Sequence, residues 1–180
     1  MKKAVAQMPA FDPDDECVNV IVETPKGSRV KYAYQPECGL FYAKRVLPDG
    51  MMFPFNFGFI PSTLGEDGDP LDILLVNEEP AVTGCLVKAR LLAVMEAEQS
   101  EQAETSRNDR IVGLIQDEET PPEFQSVRLD EARMAQIGFF FAGYNKISGK
   151  EFKVLGTGDP KRAKQLVREG IKRFEKQQKD

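Results

Sequence analysis

The chain has 180 residues, 41% of them hydrophobic and 29% charged, with a formal net charge of −5 at pH 7. That is the composition of one globular domain with a sizeable core, and it excludes disordered, collagen-like and disulfide-framework classes. There is no histidine, which also excludes histidine-ligated zinc, Ser-His and Cys-His nucleophile pairs and an imidazole general base.

In chain order, residues 1–17 read as an arm ahead of the first strand. Lys2 and Lys3 have no apolar segment behind them, so a secretory leader is not expected. No run approaches about 18 consecutive apolar residues, and no membrane span is expected. Strands are predicted over Val18–Glu23, Arg29–Tyr34, Leu40–Val46, Phe53–Phe59, Leu71–Val76, Leu86–Met95 and Arg110–Gln116. Proline and glycine punctuate the intervals, as in a small barrel or sandwich. Along the fourth strand Phe53, Phe55, Phe57 and Phe59 alternate, so their rings are expected on one face.

Glu96–Asp109 carries five acids, one arginine and few apolar side chains; it reads as a long loop, either a lid or a neutral insertion. A helix is expected from Asp130 to about Tyr144, with Ala132, Ile137, Phe140, Phe141 and Tyr144 inward. A second starts at the Asp159-Pro160 cap, with Ala163, Leu166, Val167, Gly170, Ile171 and Phe174 as its apolar stripe. With no repeat or linker, residues 1–180 are expected to form a single α+β domain: a mainly antiparallel barrel with two C-terminal helices.

Cys17, Cys38 and Cys85 are too few and too widely spaced for a metal cluster or disulfide framework, which fits a reducing cytoplasm. The modest net charge conceals a partition. Residues 61–131 hold seventeen acids and five bases, whereas 132–180 hold twelve bases and five acids. An acidic centre argues against nucleic acid as the partner; it is either a cation-attracting segment or a solvated face.

The densest chemical signal is Glu66-Asp67-Gly68-Asp69-Pro70-Leu71-Asp72, three aspartates within six residues where a turn enters a strand. Three carboxylates so close repel one another. Hard cations such as magnesium, manganese or calcium would compensate them, and an ordinary Asp-Gly-Asp-Pro turn is the plainer alternative.

Asp67-Gly68-Asp69-Pro70-Leu71-Asp72-Ile73 resembles the signature of the soluble family I inorganic pyrophosphatases. Other landmarks stand in the family's order: Glu23, Lys31-Tyr32, Arg45, the Phe53–Ile60 segment and Tyr144. The resemblance covers about Val18 to Lys176. It implies a five-stranded OB-like closed barrel with peripheral strands and two helices, assembled as a homo-oligomer, usually a hexamer in bacteria. It also implies hydrolysis of pyrophosphate to two phosphates with Mg2+, or Mn2+, as cofactor.

On that resemblance, Asp67 and Asp72 hold activating metals, Asp69 takes the water's proton and Glu23 helps hold a substrate-borne metal. Lys31, Arg45 and Tyr144 grip phosphate oxygens as catalytic and substrate-binding groups, with Arg110 and Lys146 as further substrate contacts. Departures fall on functional positions. Phe53, Phe57 and Phe59 replace tyrosines, Ala33 a glutamate, and Asn145 a phosphate-binding lysine that Lys146 stands beside. The family's last metal segment appears as Glu98-Gln99 and Asn108-Asp109-Arg110, leaving two registers open, with Asn108 or with Asp109 as the metal-site residue. Two rival readings accompany the enzyme: a weakly active paralogue that keeps metal and phosphate binding, and a hydrolase of a larger phosphoanhydride.

Overall fold

The computed structural model describes residues 5, 8–11, 16–102, 104–116 and 129–179. Of the expected arm over 1–17, Ala10 is buried in the core, its carbonyl accepts from the Asn19 N–H, and Phe11 bridges to Val18. The other positions of that arm, apart from 5, 8, 9, 16 and 17, lie outside the described residues.

The described residues form nine strands and two helices: β1 (Val18–Thr24), β2 (Val30–Gln35), β3 (Leu40–Val46), β4 (Asn56–Phe59), β5 (Asp72–Leu75), β6 (Leu86–Glu101), β7 (Glu104–Arg107), β8 (Arg110–Ile115), α1 (Glu131–Ile147), β9 (Glu151–Gly158) and α2 (Pro160–Gln177). Seven strands form one mixed sheet, and β2 and β3 form a separate hairpin. β1 pairs with β4 and with β6, β4 with β5, β5 with β8, and β8 with β6, so the pairing returns to its start; only β5–β8 among these is parallel.

Alternation divides the core. Val18, Val20, Val22, Ile73, Leu75 and Ile111 join one apolar cluster covered by Ala163, Leu166 and Val167 of α2. Leu74, Val76, Val112 and Leu114, one residue out of phase, join the other, against Ile137 and Phe141 of α1 and Phe152 of β9. A sheet with apolar cover on both faces explains why β1, β4 and β8 are buried almost throughout. Both helices start as capping chemistry dictates: the Asp130 and Asp159 side chains accept the N–H groups of Arg133 and Arg162.

Four expectations change. Glu96–Asp109 is not a loop, because β6 runs on to Glu101 and turns into β7, with Glu98 facing Arg107 and Glu101 facing Glu104 in register. Polar residues line this two-stranded ribbon, so it lacks the apolar alternation that marks a half-buried strand. β9, which no apolar period announces, pairs with β6 from Val94 to Ser100. The Phe53–Phe59 strand begins only at Asn56: Phe53, Phe55 and Phe57 join the α1-side cluster, but Phe59 packs on Tyr34. On α1, Ala132 is exposed, and Met134 packs against the core.

Candidate active site

Strand register assembles the site. β5 and β8 run parallel with Ile73 beside Ile111, so their preceding and first residues, Asp72 and Arg110, meet at one end of the sheet. Arg110 Nη1 forms an ion pair with Asp72 Oδ2, 2.6 Å away. The turn feeding Asp72 is closed by the Gly65 N–H on the Asp69 carbonyl at 2.7 Å. It also has the Asp69 N–H on Asp67 Oδ1 at 3.2 Å, an Asx turn. Gly68 sits at φ +87°, where a side chain would be strained. Turn chemistry and clustered acids are therefore the same structure: the backbone geometry holds Asp67, Asp69 and Asp72 near one another.

From the other side, β1 delivers Glu23 and the β2–β3 hairpin delivers Lys31 and Arg45. Lys31 faces Arg45 in the hairpin register. Lys31 is buried, its Nζ 2.8 Å from Glu23 Oε2 and 3.6 Å from the centre of the Phe57 ring. Glu23 Oε1 also accepts the Tyr34 N–H at 2.8 Å. Burial lowers the Lys31 pKa, against the opposing pull of the Glu23 and Asp72 charges. Arg45 hydrogen-bonds Ser148 and lies over the Tyr144 ring, 5.8 Å from its centre. Burial raises the Tyr144 pKa, so its hydroxyl stays a donor.

Arg110 is the best-enclosed cation of the group. Its guanidinium reaches Asp72 and the Asn108 side-chain oxygen, and the Asp109 carbonyl at 3.3 Å. It lies over the Phe141 and Phe152 rings at 4.9 and 5.8 Å. Its Nε is buried without a partner among the described residues.

Glu23, Lys31, Arg45, Asp67, Asp69, Asp72, Asn108, Arg110 and Tyr144 thus gather at one end of the molecule. The two readings of the 108–109 segment separate geometrically. Asn108 turns toward Arg110 and, through its Nδ2, toward Gln99 Oε1 at 3.1 Å. The Asp109 carboxylate instead accepts the Ala97 N–H at 2.9 Å and pairs with Arg107, also at 2.9 Å. Glu98 is partly exposed on the β6–β7 ribbon and has no side-chain hydrogen bond or ion pair among the described residues. Lys146 is exposed in the last turn of α1, and buried Asn145 donates back to the Phe141 carbonyl. Phe57, Ser148 and Gln99 were not foreseen as supports. Only the positions of Phe57 and Gln99 beside motif residues could have suggested them.

The donor set suits a hard cation. Asp67, Asp69, Asp72 and Asn108 offer oxygen alone. The Asp67 carboxyl is pushed up by its desolvation and then by the charges of Asp72 and Asp69, a tension that a bound cation relieves. Among the described residues no three acids form a ready-made cage. The fit is to a cation that keeps several waters, as magnesium does.

This sheet end of a small α+β domain sets carboxylates against buried Lys31 and Arg110 and half-buried Arg45 and Tyr144. The chain belongs to the inorganic pyrophosphatase family, whose sequence model matches residues 20–175. An inorganic pyrophosphatase of Sulfolobus acidocaldarius is 38% identical over 165 residues, spanning 88% of this chain and 91% of that protein. One of Thermus thermophilus is 34% identical over 171 residues, spanning 93% and 95% respectively. The crystal structure of inorganic pyrophosphatase from Thermus thermophilus superposes with a TM-score of 0.84 at 32% identity, covering 96% of this chain and 99% of that one.

Proposed function

We propose that this chain hydrolyses inorganic pyrophosphate to two phosphates, with Mg2+ or Mn2+ as cofactor. The observation that carries the reading is the meeting of the Asp67–Asp72 turn with Lys31, Arg45, Arg110 and Tyr144 at one sheet end. Pyrophosphate repels nucleophiles through its own charge, so its hydrolysis needs fixed cations around the phosphates and a group that removes the water's proton. Asp67 and Asp72, with Asn108 as a weaker neutral donor, would hold a hard divalent cation, which would supply charge against the phosphate oxygens and acidify water.

The protein's own groups do the rest. Asp69, exposed on the turn, accepts the proton as the water oxygen bonds to phosphorus and the bridging P–O bond breaks. Lys31 and Arg45 neutralise the departing phosphate. The Tyr144 hydroxyl, kept protonated by its raised pKa, donates to a phosphate oxygen. Glu23 keeps Lys31 charged and oriented. We also read the closed five-strand pairing as an OB-like barrel, residues 1–180 as one domain, and the protein as a cytoplasmic homo-oligomer, hexameric by family resemblance; sedimentation velocity tests the last point.

Phosphate release with magnesium, with manganese and with excess chelator tests the activity. Release is expected only with a divalent cation. An undiminished rate in chelator overturns the mechanism, because the acidic turn would then merely repel the substrate.

A further inference from the structure

We propose that Arg110 is a built-in counter-ion of Asp72 that competes with divalent cations for this carboxylate and lowers the site's cation affinity or number. The inference rests on the reading of the acidic turn as a cation site. Asp72 has two oxygens, and one of them is 2.6 Å from Arg110 Nη1. The same guanidinium nitrogen also holds the Asn108 side-chain oxygen. Two of the oxygen donors that suit a cation are therefore already engaged by a fixed positive charge.

That charge is not free to leave. Arg110 is 6% exposed and lies against Phe141 and Phe152. The aromatic faces favour a cation, and the rings block the retreat a flexible surface side chain would have. A divalent ion reaching Asp72 must share the carboxylate with the guanidinium and meet its repulsion. Position 108 adds no compensating charge, since asparagine supplies a neutral oxygen. Among the described residues its buried Nε has no hydrogen-bond partner, while Nη1 holds Asp72 and Asn108. The protein thus carries one permanent cation where exchangeable ions would otherwise be drawn.

Manganese binding to the intact protein without substrate tests this, followed by the electron paramagnetic resonance signal that the free ion shows and the bound ion loses. Arg110→Gln removes the charge and is expected to tighten Mn2+ binding at least tenfold or add one ion per chain. Arg110→Lys keeps a charge but loses the planar fork, and its stem can swing from Asp72. It is expected to bind at least threefold more tightly than wild type, and it decides alone if the glutamine variant does not fold. Arg90→Gln, an exposed site with the same change in net charge, is expected to leave Mn2+ binding unchanged. Unaltered affinity and ion number in the folded Arg110 variants overturn the inference, as does equal tightening in Arg90→Gln.

Phosphate release measured on the same samples separates this result from the hydrolysis reading. Tightened Mn2+ binding with no hydrolysis by any variant upholds the role of Arg110 and refutes the activity. Hydrolysis by wild type with unaltered Mn2+ binding in the variants refutes the role of Arg110 alone.

Discussion

Lys31 and Glu23 show how far a single position can be read without a structure. As residues on neighbouring strands they could have been surface groups; instead their side chains are 10% and 11% exposed and paired at 2.8 Å. Cutting one partner of a buried pair costs about 3–5 kcal/mol, whereas replacing both by uncharged groups is often near neutral. Lys31→Met alone is therefore expected to lower the urea midpoint strongly, and Glu23→Gln with Lys31→Met to recover most of the loss, since glutamine can still accept the Tyr34 N–H. A double variant as unstable as the single one would show that the pair's charges are not what stabilises this corner. The pH dependence has a fixed sign. A lowered folded pKa means the unfolded chain binds the proton more tightly, so stability rises with pH up to the ordinary lysine value near 10.5. The same shift brings the loss of the phosphate-holding charge below that pH. KM for pyrophosphate is expected to climb on this alkaline limb in wild type and not in Lys31→Arg, whose charge persists.

Elements were legible where one face had to be apolar and obscure where it did not. The α2 stripe follows from a period of 3.6, and its buried Ala163, Leu166, Val167 and Gly170 match it. The β6–β7 ribbon and β9 escaped because exposed strands need no alternation, and Gly156 and Gly158 of β9 resemble turn punctuation. What the stripe did not reveal is that α2 clasps the segment leading into the acidic turn. The Gly170 carbonyl accepts the Leu64 N–H, Arg173 donates to the Leu64 carbonyl, and Leu71 packs beneath the helix. A Cβ on Gly170 would stand 2.6 Å from Leu71 Cδ1 and 3.3 Å from Thr63 Cβ. Alanine gains about 1 kcal/mol of helix propensity, but overpacking a core contact costs about 1–3 kcal/mol. Here the crowded Leu71 is buried and directly precedes Asp72, so the cost should win. Gly170→Ala is expected to destabilise the fold and weaken Mg2+ binding by titration calorimetry. A more stable variant with unchanged affinity would mean that the helix and turn are not mechanically joined.

Across the whole molecule, the opposed charges of the centre and the C-terminal third partly cancel on folding: Arg162 pairs with Glu96 and Lys150 with Glu101. Part of the central segment's charge is matched in this way at the surface, where such pairs contribute little each. Glu66, Asp67 and Asp69 have no ion pair among the described residues, so the turn's own charge is left unmatched. The raised pKa of Asp67 means that the folded protein resists ionising it, so its charge destabilises the fold as pH rises past the ordinary aspartate range. A cation that binds only the folded state stabilises by about 2.7 kcal/mol at 100 times its dissociation constant. For a domain of this size that raises Tm by roughly 5–10 °C. Mg2+ is expected to produce such a rise, and sodium chloride at equal ionic strength to produce far less. Asp67→Asn should melt higher than wild type in chelator, because it removes the strained charge, yet gain little from Mg2+. If sodium matches magnesium, or if the asparagine variant keeps the full magnesium shift, the acidic turn is screened diffusely and does not bind the ion.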